Sequence, residues 1–232
     1  MAKPSTTTRI SVLIPALNEE EAIGAVIGDV PRRLVQDIIV VDNGSSDRTA
    51  EVARACGARV VRDERRGYGS ACLRGMAETG DTDVVVFLDG DHSDYPEEIP
   101  QLVAPILAGK ADMVIGSRTL GESEAGSLAL QQVCGNRLAC FLIRLLFRHR
   151  YTDLGPFRAI RWDSLKSLGM VDNDYGWTVE MQIKAVRKGL RIIEVPVRYR
   201  RRIGESKISG TILGSIKAGW KIITTIMRYA LR

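Results

Sequence analysis

Between residues 9 and 118 the chain alternates five short β-branched runs with four amphipathic stretches, and no other feature constrains the fold as much. The runs are RISVLI from Arg9, DIIVV from Asp37, ARVV from Ala58, DVVVFL from Asp83 and ADMVIG from Ala111. Between them, Asn18 followed by Glu19, Glu20 and Glu21 predicts a helix start, with Ile23, Val26, Ile27 and Val30 on one face. Ser46 or Asp47 opens a second helix that Gly57 ends. A third covers about residues 69–79 and closes at Gly80, and Asp94, Pro96, Glu97 and Glu98 open a fourth that ends near Gly109. Strands alternating with helices predict an α/β fold, a mostly parallel sheet with helices on both faces.

Past Arg118 the rhythm changes. A loop GESEAGS leads to a long helix over about residues 130–149, then short extended pieces, a helix over about 177–188 and a β-rich run RIIEVPVRYRRR. After the loop GESKISGT comes an amphipathic helix whose Leu213, Ile216, Trp220, Ile223, Met227 and Ala230 recur at helical spacing, opposite Lys217, Lys221, Thr224 and Arg228. A length of 232 residues suits one large domain, or one domain with an appended piece. The division expected is a flexible tail over 1–8, a main domain over 9–205 and the loop and amphipathic helix over 206–232. Within the main domain, 9–118 is the first half and 119–205 the second.

Charge divides as well, after Pro100. Residues 1–100 hold 11 Lys/Arg against 18 Asp/Glu, a net −7, and the remaining 22 against 10 give +12. An acidic half suited to a metal precedes a basic half suited to anions. Cys56, Cys72, Cys134 and Cys140 show no C-x-x-C spacing, so reduced thiols and a cytoplasmic location are expected. The N-terminal residues lack the apolar core of a signal peptide, and no apolar stretch is long enough to span a bilayer.

In an open α/β sheet, ligands bind beyond the carboxyl ends of the strands. The polar residues cluster there: Asn18 and Glu19 after the first run, Asp42-Asn43-Gly44 after the second, Arg66-Gly67-Tyr68-Gly69 after the third, Asp89-Gly90-Asp91 after the fourth and Gly116-Ser117-Arg118 after the fifth. Asp89-Gly90-Asp91 carries the most weight. Mg2+ and Mn2+ take hard oxygen ligands, usually one or two carboxylates with water and phosphate oxygens completing the shell. Alone, D-x-D reads as an acidic turn; after the buried strand DVVVFL it reads as a metal and phosphate site. Neither G-x-G-x-x-G after the first strand nor a P-loop occurs. Gly67-Tyr68-Gly69 reads equally well as a turn with a helix start and as a close approach of backbone to ligand. His92 beside the D-x-D reads as a loop hydrogen-bonder, and neither histidine supports a zinc site.

Taken in order, IPALNEEEAIGAVI, VVDNGSSDRTAEVA, RGYGSAC, FLDGDHSDYPEEI, VIGSR, TDLGPFRAI and VEMQIKAVRKGLRIIEVPVRYRRRIGESKISGT resemble the inverting family 2 glycosyltransferases of GT-A fold. The branch they are most similar to is that of the dolichyl- or polyprenyl-phosphate sugar synthases. The resemblance implies a Rossmann-like GT-A domain, with 9–118 as the nucleotide-sugar half and 119–205 as the acceptor half. It implies that Pro15, Leu17, Glu19, Asp42 and Gly67 bind the donor nucleotide, that Asp89 faces the nucleoside, and that Asp91 holds the Mg2+ or Mn2+ bridging the diphosphate. Asp89 and Ser93, which stands where relatives often carry Gln, are the further metal-side residues. Arg118, Arg200, Arg202 and Lys207 would hold the acceptor or phosphates. Asn43 and Tyr68 depart from the Asp and Lys frequent in relatives, which leaves UDP and GDP open as donor.

The acceptor decides the remaining chemistry. A phosphate monoester, with a second pKa near about 6, is largely a dianion at neutral pH and needs cations more than a base. A soluble hydroxyl acceptor needs a carboxylate within reach, for which Asp153 stands slightly ahead of Glu180. Arg158 and Lys184 read as surface cations. The last helix, with Trp220 and aliphatics opposite Lys217, Lys221 and Arg228, suits the interface of an anionic bilayer, and equally a packing face on the domain or on a homodimer partner. The expectation is peripheral contact with the inner face of the membrane and a polyprenyl or dolichyl phosphate acceptor. A non-catalytic nucleotide-binding module is the alternative from another class. Nucleic acid is not expected, because no aromatic residue interleaves the basic run 200–207.

Overall fold

The structure is a computed structural model and describes residues 8–204 and 212–231. All five expected strands form: β1 (Ile10–Ala16), β2 (Asp37–Asp42), β3 (Arg59–Arg62), β4 (Val84–Phe87) and β5 (Met113–Ser117). Two more, β6 (Arg158–Arg161) and β7 (Ile192–Pro196), complete a seven-stranded sheet of order β3-β2-β1-β4-β6-β5-β7. Every pairing is parallel except those of β6, which runs antiparallel between β4 and β5. β1 is buried at every position, as a strand covered on both faces must be.

Successive residues of a strand point to opposite faces, so the sheet separates two cores. Ile10, Val12 and Ile14 meet α1 (Ile23–Asp29), α2 (Thr49–Ala55) and α4 (Ile99–Leu107) on one side. Leu13, Val85 and Phe87 meet α3 (Tyr68–Glu78), α5 (Leu130–Phe147), α7 (Trp177–Arg187) and α8 (Ile212–Ala230) on the other. The short α6 (Trp162–Leu168) follows β6.

The first helix begins later than Asn18 suggests. Asn18 has φ +54°, and residues 18–22 form turns before α1. Their backbone is tied to the next strand end instead: Asn18 N–H donates to Ser45 Oγ at 2.9 Å, and Ser46 N–H to Asn18 Oδ1 at 2.8 Å. The second helix behaves as expected of an aspartate start, with Thr49 N–H donating to Asp47 Oδ1 at 3.0 Å. Among the described residues no helix is long and apolar enough to cross a membrane.

Candidate active site

Because β1, β2, β4 and β5 point the same way, their carboxyl ends share one rim. A cleft of about 630 Å³ opens there. Its lining brings together Pro15, Leu17 and Glu19 after β1, Gly67 and Tyr68 at the start of α3, and Asp89, Gly90 and Asp91 after β4. Arg202 reaches it from beyond β7. Seven of the expected residues, Pro15, Leu17, Glu19, Gly67, Asp89, Asp91 and Arg202, thus meet in one place.

Asp91 is held from two sides. Its Oδ1 accepts from Ser93 N–H at 2.9 Å and Ser93 Oγ–H at 2.6 Å, and its Oδ2 pairs with Arg202 Nη1 at 3.0 Å. Arg202 Nη2 also donates to Glu19 Oε1 at 2.7 Å, so one guanidinium bridges two strand ends. Asp89 is held differently. Its Oδ1 is enclosed without a hydrogen-bond partner among the described residues, while the Tyr68 hydroxyl is directed at the carboxylate. Burial first, then the charge of Asp91, pushes the Asp89 carboxyl up to about 7. Two neighbouring carboxylates, one with an orphaned oxygen, fit a divalent cation that keeps water and phosphate ligands, since among the described residues no group of three or more ligating side chains converges. Ser93, fully buried, orients Asp91 through its hydroxyl and is not in the cleft lining.

Asp42 sits below the rim. It is 2% exposed and its Oδ1 accepts from Ser45 N–H at 2.9 Å, shaping the turn, while the adjacent Asn43 reaches the cleft. The Asn43 amide is fully engaged: Nδ2 donates to Arg65 O at 2.7 Å and Oδ1 accepts from Gly67 N–H at 2.8 Å. The Gly67-Tyr68-Gly69 turn resolves into a close backbone approach, but to the chain itself. A Cβ on Gly67 would lie 2.2 Å from Asn173 O, and one on Gly69 2.1 Å from Asp172 O. Segment 172–175 therefore packs on the start of α3 and carries Asp174 and Tyr175 into the cleft. Sequence reading missed both; their only signal is the turn-like cluster DNDYG before a helix.

The acceptor-side residues are placed less uniformly. Arg118 is clamped by Asp153, with Nε to Oδ2 at 2.8 Å, Nη2 to Oδ1 at 2.7 Å and backbone N–H to Oδ2 at 2.9 Å. Burial opposes its charge, yet Asp153 more than offsets this and the net shift is upward. Arg118 also lies over the Tyr199 ring at 5.1 Å, and its Nη1 has no acceptor among the described residues. Asp153 is thus an orienting anion for Arg118. Glu180 lies outside the cleft lining. It is fully buried, pairs with Lys184 at 2.8 Å, and accepts from Tyr229 Oη–H at 2.7 Å and Asp172 N–H at 2.7 Å. Its carboxylate ties α7 to α8, which leaves it no room to serve as a base.

Arg158 corrects the expectation of a surface cation. It is 1% exposed, its guanidinium donates to the carbonyls of residues 154–156 and Thr178, and among the described residues it makes no ion pair with a carboxylate. Lys184 is likewise committed to Glu180. Arg200 is turned from the cleft, with Nε on His92 O at 2.7 Å, Nη2 near Asp29 at 3.3 Å and its plane over Tyr95. His92 bonds Asp29 at 2.8 Å, the loop role expected of it. Lys207 lies outside the described residues. Asp94, expected only to open a helix, is 1% exposed and neither of its oxygens has a hydrogen-bond partner among the described residues; burial, then Asp89 and Asp91, raise its proton affinity well above the usual range.

Residues 11–169 match the family model described as glycosyl transferase family 2. The chain belongs to that family. It is 38% identical over 221 residues to an uncharacterised glycosyltransferase of Mycobacterium tuberculosis, covering 93% of this chain and 98% of that protein. It is 33% identical over 232 residues to the dolichyl-phosphate hexose transferase of Haloferax volcanii, covering 96% of each. Among solved structures it resembles glucosyl-3-phosphoglycerate synthase from Mycobacterium tuberculosis in complex with Mn2+, UDP-glucose and phosphoglyceric acid. There the TM-score is 0.79 at 29% identity, covering 96% of this chain and 80% of the other. The α/β architecture expected of a GT-A domain is the one observed, with the antiparallel β6 as its departure from an all-parallel sheet.

Proposed function

We propose that the chain is a metal-dependent inverting glycosyltransferase that moves a hexose from a nucleoside-diphosphate sugar to a polyprenyl or dolichyl phosphate at the cytoplasmic face of a membrane. The observation that carries the reading is the cleft whose wall, Pro15 to Glu19 with Asn43, ends at Asp89, Asp91 and Arg202. Asp89 and Asp91 would hold Mg2+ or Mn2+, which when bound supplies charge neutralisation of the leaving diphosphate. Arg202, already beside Asp91, adds a fixed cation at the same end. Arg118, kept charged and aimed by Asp153, offers its free Nη1 edge to an acceptor phosphate, whose dianion attacks without a general base. Displacement in line with the leaving diphosphate inverts the anomeric centre.

The lipid acceptor is supported by the Haloferax relative, named for dolichyl phosphate, and by one surface. On the packed pair α5 and α8, Leu138, Phe141, Leu145 and Trp220 are exposed beside the exposed Arg137, Arg144 and Arg228. Apolar side chains ringed by cations suit the interface of an anionic bilayer. A soluble hydroxyl acceptor is the second reading, favoured by the phosphoglyceric acid bound in the mycobacterial synthase.

The test is transfer from labelled UDP- and GDP-sugars with Mg2+ or Mn2+, to undecaprenyl or dolichyl phosphate in vesicles and, separately, to 3-phosphoglycerate in solution. Label in the lipid fraction that EDTA or Asp91→Asn abolishes is the expected result. Transfer only to the soluble acceptor selects the second reading. Undiminished transfer in EDTA and in Asp91→Asn would overturn the metal role.

A further inference from the structure

The turn over residues 171–176 enters the cleft from the second half of the chain and is held on three sides. Gly67 and Gly69 leave room for its backbone, and Ser70 N–H donates to Asn173 O at 2.9 Å. Asp172 closes the turn on itself, accepting from Asp174 N–H at 2.8 Å, and pairs through its other oxygen with Lys221 of α8 at 3.1 Å. Gly176 is wedged where a Cβ would lie 2.4 Å from Asp172 and 2.7 Å from Thr225. A segment pinned this closely presents its side chains in fixed positions. Two of them, Asp174 and Tyr175, line the cleft, and neither the Asp174 carboxylate nor the Tyr175 hydroxyl has a hydrogen-bond partner among the described residues.

The charge of Asp174 decides what it can meet. An unpaired carboxylate repels a diphosphate and an acceptor phosphate alike. It accepts well from neighbouring hydroxyls, and a phenol beside it can donate or accept while its ring covers a C–H face. Within the cleft, Pro15 to Glu19 and Asn43 form the nucleoside wall, and Asp91 with Arg202 marks the charged end. The donor's uncharged hydroxyls are those of its ribose and its sugar, and with the ribose set against the nucleoside wall the sugar is the part left to face Asp174 and Tyr175. We propose that Asp174 and Tyr175 are the specificity-determining residues for the donor sugar, with Asp174 accepting from its hydroxyls; this rests on the nucleotide-sugar reading of the cleft.

The experiment compares the full chain with Asp174→Asn and Tyr175→Phe, using UDP-glucose against UDP-galactose, GDP-mannose against GDP-glucose, and free UDP and GDP, all with Mn2+. For the preferred sugar, kcat/KM should fall about 10- to 100-fold in Asp174→Asn, as expected for losing a charge-assisted bond to a neutral group. The preference between epimers should narrow in both variants, with affinity for the free nucleotide within about twofold of the parent. Tyr175→Phe removes a single oxygen, so the test stands even if Asp174→Asn melts early. An unchanged epimer ratio, or an equal loss of free-nucleotide binding, overturns the inference alone. A parent chain that binds neither UDP nor GDP overturns the proposed function and the inference with it.

Discussion

Gly69→Ala sets two physical effects against each other with known signs. Gly69 lies in the first turn of α3, and alanine in a helix is favoured over glycine by about 0.8–1 kcal/mol, so propensity alone predicts stabilisation. Packing predicts the opposite. The new Cβ would lie 2.1 Å from Asp172 O, 2.7 Å from Asn173 C and 2.8 Å from Asp174 N, where ordinary contact begins near 3.4 Å. All three are backbone atoms, so relief requires the turn to withdraw by more than an ångström, breaking the Ser70-to-Asn173 bond and loosening Asp174 and Tyr175. Overpacking costs about 1–3 kcal/mol and the bond about 1 more, which outweighs the propensity gain by roughly 1–3 kcal/mol. For a chain of this length that lowers Tm by about 2–12 °C. Gly28→Ala is the control: Gly28 is exposed in α1 with nothing within 4 Å of a Cβ, and should gain about 0.5–1 kcal/mol. Urea and thermal melts of the three proteins read the result. A Gly69→Ala chain as stable as Gly28→Ala, with nucleotide binding intact, would refute the packing of segment 172–174 on α3.

Three further outcomes follow from the site. Asp153→Asn, which strips a 1%-exposed anion from the Arg118 clamp, should cost about 3–5 kcal/mol in urea unfolding, because a buried cation is left unpaired. Glu180→Gln should lower stability by about 2–3 kcal/mol by weakening its bonds to Lys184, Tyr229 and Asp172, and leave the pH profile of kcat unmoved; a displaced profile would restore Glu180 as a base. Asp89 rises from its ordinary 3.8 to about 7 on folding, so its contribution to stability is present in full below about pH 4 and lost as pH climbs through about 7. Asp89→Asn should flatten that decline in urea midpoints between pH 5 and about 8, whereas Mn2+ affinity of the parent should strengthen across the same range as the proton leaves.

Much of this architecture is written locally. Strand runs and the D-x-D at the end of β4 are legible because burial on a sheet leaves a mark within five or six residues. β6 leaves none: RAIR carries an arginine at each end, and its place between β4 and β5 depends on pairings 73 and 45 residues away, Val86 with Ala159 and Val114 with Ala159. Arg158 misleads for the same reason, since its burial is made tolerable by carbonyls of a turn that sequence pattern does not display. The glycines at 67 and 69 announced a close approach but not its partner. That partner lies about a hundred residues on, and with it came the two cleft residues that no motif had marked.

The charge division of the sequence has a similar resolution. A −7 half followed by a +12 half suggests a basic surface open to anions, yet most of the run 198–202 is spent within the molecule. Arg198 pairs with Glu98 at 2.6 Å, Arg200 with Asp29, Arg201 donates to Ala125 O, and Arg202 bridges Glu19 and Asp91. The basic segment is first the counter-ion of the acidic rim and holds the two halves in register. Of these four arginines only Arg202 lines the cleft. Salt dependence should therefore separate the two roles: screening weakens the exposed Arg198 pair, half open to solvent, far more than the Arg202 bridge, whose partners are nine-tenths buried. A donor affinity that holds between 50 and about 300 mM salt while Arg202→Ala abolishes it would fit one enclosed cation at the charged end; a steep, graded salt loss would instead require the open basic surface that the sequence suggested and the ion pairs consume.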